Sequence, residues 1–280
     1  MLKKMTINAI LQYIEDNLEV SYININNLVS FSGYSRRYLQ LLFKIYMGIP
    51  IGKYIQMRRA SRAAFLLRLT NKPIIEISEK LLYDSQQTFT REFKKITGYT
   101  PKRYRTSPNW SFKNIIGYRK VDYLPPKPMI CRLKKREIFG HIFEHRNGII
   151  PCIMENSHHR WQEIDKKLKH KNKITLSNRF TLINNKPTLS TIIWGNLKNS
   201  CCKIIIDGGL YARFSFSGTF DEYSNYIKNI YENSLSAYKL DKRDTYDIEV
   251  IYLNNGILHY HYYIPVCESH IMCHDLSTLD

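Results

Sequence analysis

The sequence predicts a multi-domain chain: an all-α N-terminal domain with two helix-turn-helix units joined by a long helix, then an α+β C-terminal domain. Three observations carry this prediction. Apolar residues recur at three- and four-residue steps over the first hundred residues. A short helix, a tight turn and a capped helix occur twice, about 50 residues apart. Beyond Pro128 the pattern changes to alternating segments with two helical stretches.

The elements follow in order. Ile7, Ile10, Leu11, Ile14 and Leu18 mark an amphipathic helix from Leu2 to Leu18. Asn24 to Phe31 reads as a short second helix ended by Gly33, and Ser35 caps a third that runs to Met47. Pro50 opens a long fourth helix reaching Leu69, which Asn71-Lys72-Pro73 breaks. Ile74 to Leu82 forms the fifth. Asp84 or Ser85 caps the sixth, which ends before Gly98, and Thr100-Pro101 starts a last turn through Tyr104 and Arg105. Four prolines between Ser107 and Pro128 and the lack of a clear period read as a linker. Ile130–Phe143, Thr191–Trp194, Tyr211–Phe216, Asp247–Leu253 and His259–Ile264 read as strands, and His158–Lys169 and Phe220–Tyr238 as helices. Residues 171–205 are otherwise polar and hard to assign. The expected division is 1–107, a linker at 108–129, a second domain at 130–266 and a tail at 267–280.

With 42 Lys and Arg against 24 Asp and Glu, the formal net charge is +18. Such an excess favours polyanions, nucleic acid before anionic membrane, although a coding bias toward Ile, Asn, Lys and Tyr alone can produce a basic chain. Residues 1–110 hold 18 basic and 7 acidic groups, against 24 and 17 in the longer remainder. Nine of those 18 are Arg, the side chain suited to phosphate and guanine. No apolar run approaches a membrane span, and Gln12, Glu15 and Asp16 interrupt any signal-peptide core. The expected location is therefore the cytoplasm, with the six Cys reduced and no membrane partner.

In the third helix Leu39, Leu42, Phe43 and Tyr46 share the core face, leaving Arg36, Arg37, Gln40, Leu41 and Lys44 outside. In the sixth, Phe89, Phe93 and Ile96 are the buried stripe, leaving Gln86, Gln87, Thr90, Arg91, Lys94 and Lys95 outside. Amides that match adenine edges, guanidinium for guanine and lysines for phosphate are what a reader of double-stranded DNA needs. One such face is as readily a solvated surface; two at matched positions favour the reader.

Here the residues carry a resemblance. Gly33-Tyr34-Ser35, Leu39, Phe43-Lys44, Arg58-Arg59, the run Phe89 to Lys95, Gly98-Tyr99-Thr100-Pro101 and Tyr104-Arg105 resemble the AraC/XylS family. Leu67 to Thr70, Asp84 to Thr90 and Ser107 to Trp110 are similar to its Rob, MarA and SoxS group. The resemblance implies a monomer that inserts two recognition helices into adjacent major grooves of promoter DNA and helps recruit RNA polymerase, more often as an activator. By position it makes Gln86, Gln87 and Arg91 contacting residues of the second helix and Gln40 one of the first. The chain departs from the group at Arg37, where Trp is usual, at Leu41, where Arg is usual, and at the turn Leu82-Tyr83-Asp84, which lacks the common Gly.

Gly208 to Phe214, Gly218-Thr219-Phe220, Asp247 to Tyr252 and Tyr263 to Val266 resemble the gyrase-inhibitor-like effector domain, with a weaker match over 130–200. That resemblance implies a cleft for an amphipathic or cationic small molecule, with Glu249 as its acidic residue. Tyr211, Trp194 and Trp161 are candidate walls. On residue type alone, Glu249 reads as a solvent-facing strand residue and the aromatics as core. Cys267, His270, Cys273 and His274 are metal-ligand types at a spacing that fits no standard finger, so no metal is assigned. Cys201-Cys202 reads as a pair of buried thiols. No catalytic constellation emerges, and no cofactor or enzymatic activity is expected. Two alternatives stay open: a nonspecific, architectural or origin-binding DNA protein, and a small-molecule hydrolase using Glu249.

Overall fold

The computed structural model describes residues 1–145, 158–184, 186–195 and 202–267. The chain divides into two compact units, one of Met1–Thr106 with Lys113–Pro125, the other of Ser107–Phe112 with the residues from Pro126 onward.

The first unit holds α1 (Leu2–Asn17), α2 (Ile25–Ser32), α3 (Arg36–Met47), α4 (Ile51–Leu69), α5 (Ile74–Lys80), α6 (Gln86–Thr97) and α7 (Pro101–Thr106). Its ends are set by local chemistry. Asn24, Ser35 and Ser85 each accept a hydrogen bond from a backbone N–H of the first turn, satisfying a donor that has no intrahelical partner. Gly33, Gly48 and Gly98 close α2, α3 and α6 in the left-handed region, where a side chain is costly. Ile7, Ile10, Leu11 and Ile14 of α1 pack with Leu28 of α2 and Leu39 and Phe43 of α3. Around α6, rings form a chain in which Tyr83 meets Phe89, Phe89 meets Phe93, and Phe93 meets Tyr104 edge-on at 5.3 Å. The long helix α4 is buried along most of its length and runs about 28 Å.

Charged side chains tie these helices together. Arg58 of α4 is buried and donates to both carboxylate oxygens of Glu15 at 2.7 Å. Glu19, just beyond α1, binds Arg62 of α4 at 2.5 Å and Lys80 of α5 at 2.6 Å.

The expected linker over 108–129 is not one. Lys113–Pro125 belongs to the helical unit. Ile115 and Val121 are buried, Ile116 and Tyr118 pack on the core of the first helices, and Asn114 donates to the Ile96 carbonyl at 2.7 Å. Its apolar residues lie along an irregular path, so no period betrayed them. Asn109–Trp110, β1, instead pairs antiparallel with β8 (Lys242–Arg243) of the second unit, where Trp110 and Phe112 contact Tyr231.

Among the described residues the second unit is built on an eight-stranded antiparallel sheet. Its strands are β2 (Met129–Leu133), β3 (Arg136–His145), β4 (Lys173–Ile183), β5 (Lys186–Gly195), β6 (Cys202–Ile206), β7 (Gly209–Ser217), β9 (Asp247–Asn254) and β10 (Ile257–Pro265), in the order β2-β7-β10-β9-β4-β5-β3-β6. The stretch expected as one strand over Ile130–Phe143 is two. They sit toward opposite edges of the sheet, with Lys134-Lys135 between them. The unassigned polar stretch contains β4, whose Ser177 and Asn178 are polar for reasons given below. Helix α8 (His158–Leu168) packs on β4, and α9 (Phe220–Asn229) on β7. Thr219 and Glu222 cap α9 reciprocally. The single helix expected through Tyr238 is interrupted by a π turn, Ile230–Ser234, before α10 (Leu235–Ala237).

Candidate nucleic-acid interface and effector unit

Helices α3 and α6 are the same object written twice. Each has 12 residues, a serine N-cap and a left-handed glycine C-cap, and every one of these features is displaced by 50 positions. Phe43 matches Phe93 and Leu39 matches Phe89 in the core. The outward faces therefore correspond residue for residue. Arg36, Arg37, Gln40, Leu41, Lys44 and Ile45 of α3 are exposed, opposite in register to Gln86, Gln87, Thr90, Arg91, Lys94 and Lys95 of α6. In α6 all are exposed except Thr90, which is half-buried. Each helix sits one tight turn after the preceding one, the geometry in which a second helix enters a major groove.

Sequence reasoning missed Ile45. It lies one helical turn beyond Leu41 on the outer face and is 67% exposed, Leu41 being 56% exposed. It also placed Tyr46 in the core, where Met47 is buried and Tyr46 only half so. The turn before α6 uses Leu82 at φ +57°, a left-handed conformation that costs a non-glycine residue about 1 kcal/mol or more. Its counterpart before α3 is Gly33.

The candidate effector residues do not converge. Glu249 on β9 has no exposed surface, and its carboxylate pairs with the guanidinium of Arg160 from α8, also fully buried. Asn178 of β4 donates to the same oxygen at 2.8 Å and accepts from Thr191 at 2.8 Å. The Tyr223 ring stacks on Tyr260 at 3.8 Å, and burial with the charge of Glu249 holds its phenol well above the ordinary range. Two positions away on the same face, Asp247 accepts from Tyr231 and Tyr262 and pairs with Lys242 at 2.8 Å. Burial and Asp247 likewise raise the Tyr231 phenol. Trp161, next to Arg160, stacks on Phe220 at 4.2 Å.

Tyr211 and Trp194 are elsewhere. In register, Glu249 lies opposite Tyr262, Tyr262 opposite Phe214, and Leu176 opposite both Glu249 and Ile193. Alternation then turns Tyr211 and Trp194 to the other face of the sheet, where they pack with Ile138, Ile206 and Ile248. Expecting one cleft of Glu249, Tyr211, Trp194 and Trp161 was therefore incorrect. That other face holds a groove of about 520 Å³ lined by Lys173, Val250, Tyr252, His261 and Tyr263 among others. Tyr252 stacks on His259 there at 5.0 Å, and Ser215 meets His261 at 2.9 Å. Burial, Arg213, His259 and Lys173 lower the His261 pKa.

Among the described residues no three metal-ligating side chains cluster, and no helix is long and apolar enough to cross a membrane. His270, Cys273, His274 and Cys201 lie outside the described residues. Cys267 is half-buried, and burial raises its thiol.

Paired recognition helices on one unit and a helix-covered antiparallel sheet on the other define a two-part, DNA-binding transcription regulator. Residues 28–107 match the helix-turn-helix domain family, and residues 152–266 match the family of the integron-associated effector binding protein. The F1 operon positive regulatory protein of Yersinia pestis is 51% identical over 270 residues, covering 95% of this chain and 89% of its own. The right origin-binding protein of Escherichia coli K12 is 29% identical over 275 residues, covering 88% and 90%. A putative helix-turn-helix regulator of the same strain, YkgA, is 46% identical over 148 residues, covering 52% and 61%. The chain belongs to the AraC-type family of DNA-binding transcription regulators, in the branch that carries a C-terminal effector-binding domain.

Proposed function

We propose that one copy of the chain binds promoter DNA by placing α3 and α6 in adjacent major grooves, and that it activates transcription by helping to recruit RNA polymerase. The observation that carries this is the fixed 50-residue correspondence of the two outward faces. Arg91 and Gln87 are placed for base edges, and Arg36, Lys44, Lys94 and Lys95 for phosphates. Activation is supported by the relative named as a positive regulatory protein. In-vitro selection of binding sites from random duplexes tests the reading: two conserved blocks about one helical turn apart support it, and the absence of any consensus refutes it. A nonspecific or origin-binding role is the second reading, supported by the net charge of +18 and by the relative named as an origin-binding protein.

The effector unit responds to a ligand or partner rather than performing catalysis. Glu249 already holds an internal cation and has no surface to offer a substrate. A cationic effector must displace Arg160. The groove on the opposite sheet face, lined by rings and Lys173 and by no carboxylate among the described residues, suits an uncharged or anionic ring-bearing ligand.

A further inference from the structure

We infer that the two recognition helices read different chemistry: Leu41 and Ile45 of α3 form a pair that recognises thymine C5 methyl groups. The inference rests on the two-helix reading and deepens it. At the corresponding places α6 carries Arg91 and Lys95, so the same two positions of the repeated helix are cationic in one copy and aliphatic in the other. Leu41 and Ile45 are four residues apart and so are neighbours on one helical face. They belong to no core, being 56% and 67% exposed. Arg37 precedes them on the same stripe, and Gln40 and Lys44 flank them.

A branched aliphatic side chain has no donor or acceptor for a base edge. In the major groove one feature rewards it: the methyl of thymine, which cytosine and uracil lack. An aliphatic pair spanning one turn of helix can cover methyls on neighbouring thymines, while Arg37, Gln40 and Lys44 hold the helix to phosphates and adjoining bases. The occupant of this apolar strip is thus duplex DNA with thymines under α3. Burying one methyl group against an aliphatic side chain changes affinity by about fourfold.

The test uses the full chain and the duplex obtained by in-vitro selection. Arg91→Ala first identifies the block read by α6, as the one whose preference it erases. Thymines of the other block are then replaced singly by deoxyuridine, which removes the methyl and keeps the pairing edge. The expected result is a loss of about three- to tenfold at one or two positions, abolished in Leu41→Ala or Ile45→Ala. Deoxyuridine in the α6 block is expected to change affinity less than twofold. Selective binding without any deoxyuridine effect under α3, or an effect undiminished in both variants, overturns the inference and leaves the two-helix reading intact. Lost activation with unchanged DNA affinity in Leu41→Ala overturns it too, by assigning the pair to a protein partner. Selection that yields no consensus overturns the two-helix reading itself.

Discussion

On the proposed reading, single residues in the helical unit divide into readers and holders. Arg91 carries a guanidinium on an exposed face, so Arg91→Ala is expected to weaken operator binding by about 1–3 kcal/mol and relax preference at its base. Lys94→Ala should weaken binding to all sequences alike and reduce the salt slope by about 1, which titrations at several salt concentrations measure. Leu82 is different, because its cost lies in the backbone. Leu82→Gly removes the left-handed penalty and returns part of it as chain entropy, so a gain of up to about 1 kcal/mol in denaturant melts is expected. In the effector unit the decisive residue is Arg160. Arg160→Met strands Glu249 and is expected to cost about 3–5 kcal/mol, most of it recovered in the double variant with Glu249→Gln. Equal stability of the single and double variants would show that the pair is not coupled.

At the scale of elements, the lobe around α3 and the lobe around α6 are held together by α4, by Glu19 and by the segment 113–125. Burial would raise the Glu19 carboxyl, yet Lys80 and Arg62 hold it below its ordinary value. A carboxylate with a lowered folded pKa contributes stability above its unfolded pKa, near 4.5, and loses it as pH falls through the folded value. Glu19→Gln should therefore lower stability at neutral pH and flatten the decline below pH 4.5; the half-exposed setting keeps the effect to about 1 kcal/mol. Ile115→Ala tests the segment that replaced the linker. As a buried side chain it should cost about 2–5 kcal/mol, whereas a linker residue would cost nothing. The helices were legible in sequence because serine caps, closing glycines and a 3.6-residue period act within a few residues of each other. Segment 113–125 was illegible because its burial depends on partners such as Ser61 and Asn8, far away in the chain.

For the whole molecule, the outward faces of α3 and α6 were readable in advance, whereas the surroundings of Glu249 were not. Arg36, Arg37, Gln40, Leu41 and Lys44 of α3, and Gln86, Gln87, Arg91, Lys94 and Lys95 of α6, lie outward because helical periodicity determines which residues face the core. Ile45 escaped because an aliphatic residue reads as core until a structure places it outside. Glu249 was located on its strand, but its partner Arg160 comes from a helix 89 residues earlier, a separation no local pattern reports. Tyr211 and Trp194 were separated from it by strand register alone, which alternation fixes only when pairing is known. The polar residues of β4 that looked unassignable are buried partners on the two faces of the sheet: Asn178 holds Glu249 on one, and Ser177 accepts from Trp194 at 2.8 Å on the other.

The central claim is that one chain reads two successive major-groove segments through two matched helices. Methylation-interference footprinting of the full chain on its selected duplex tests it most directly. The expected result is two windows about 10 base pairs apart on one face of the DNA, with Arg91→Ala erasing one and sparing the other. A single window, or protection that ignores sequence and that Arg91→Ala does not alter, would contradict it.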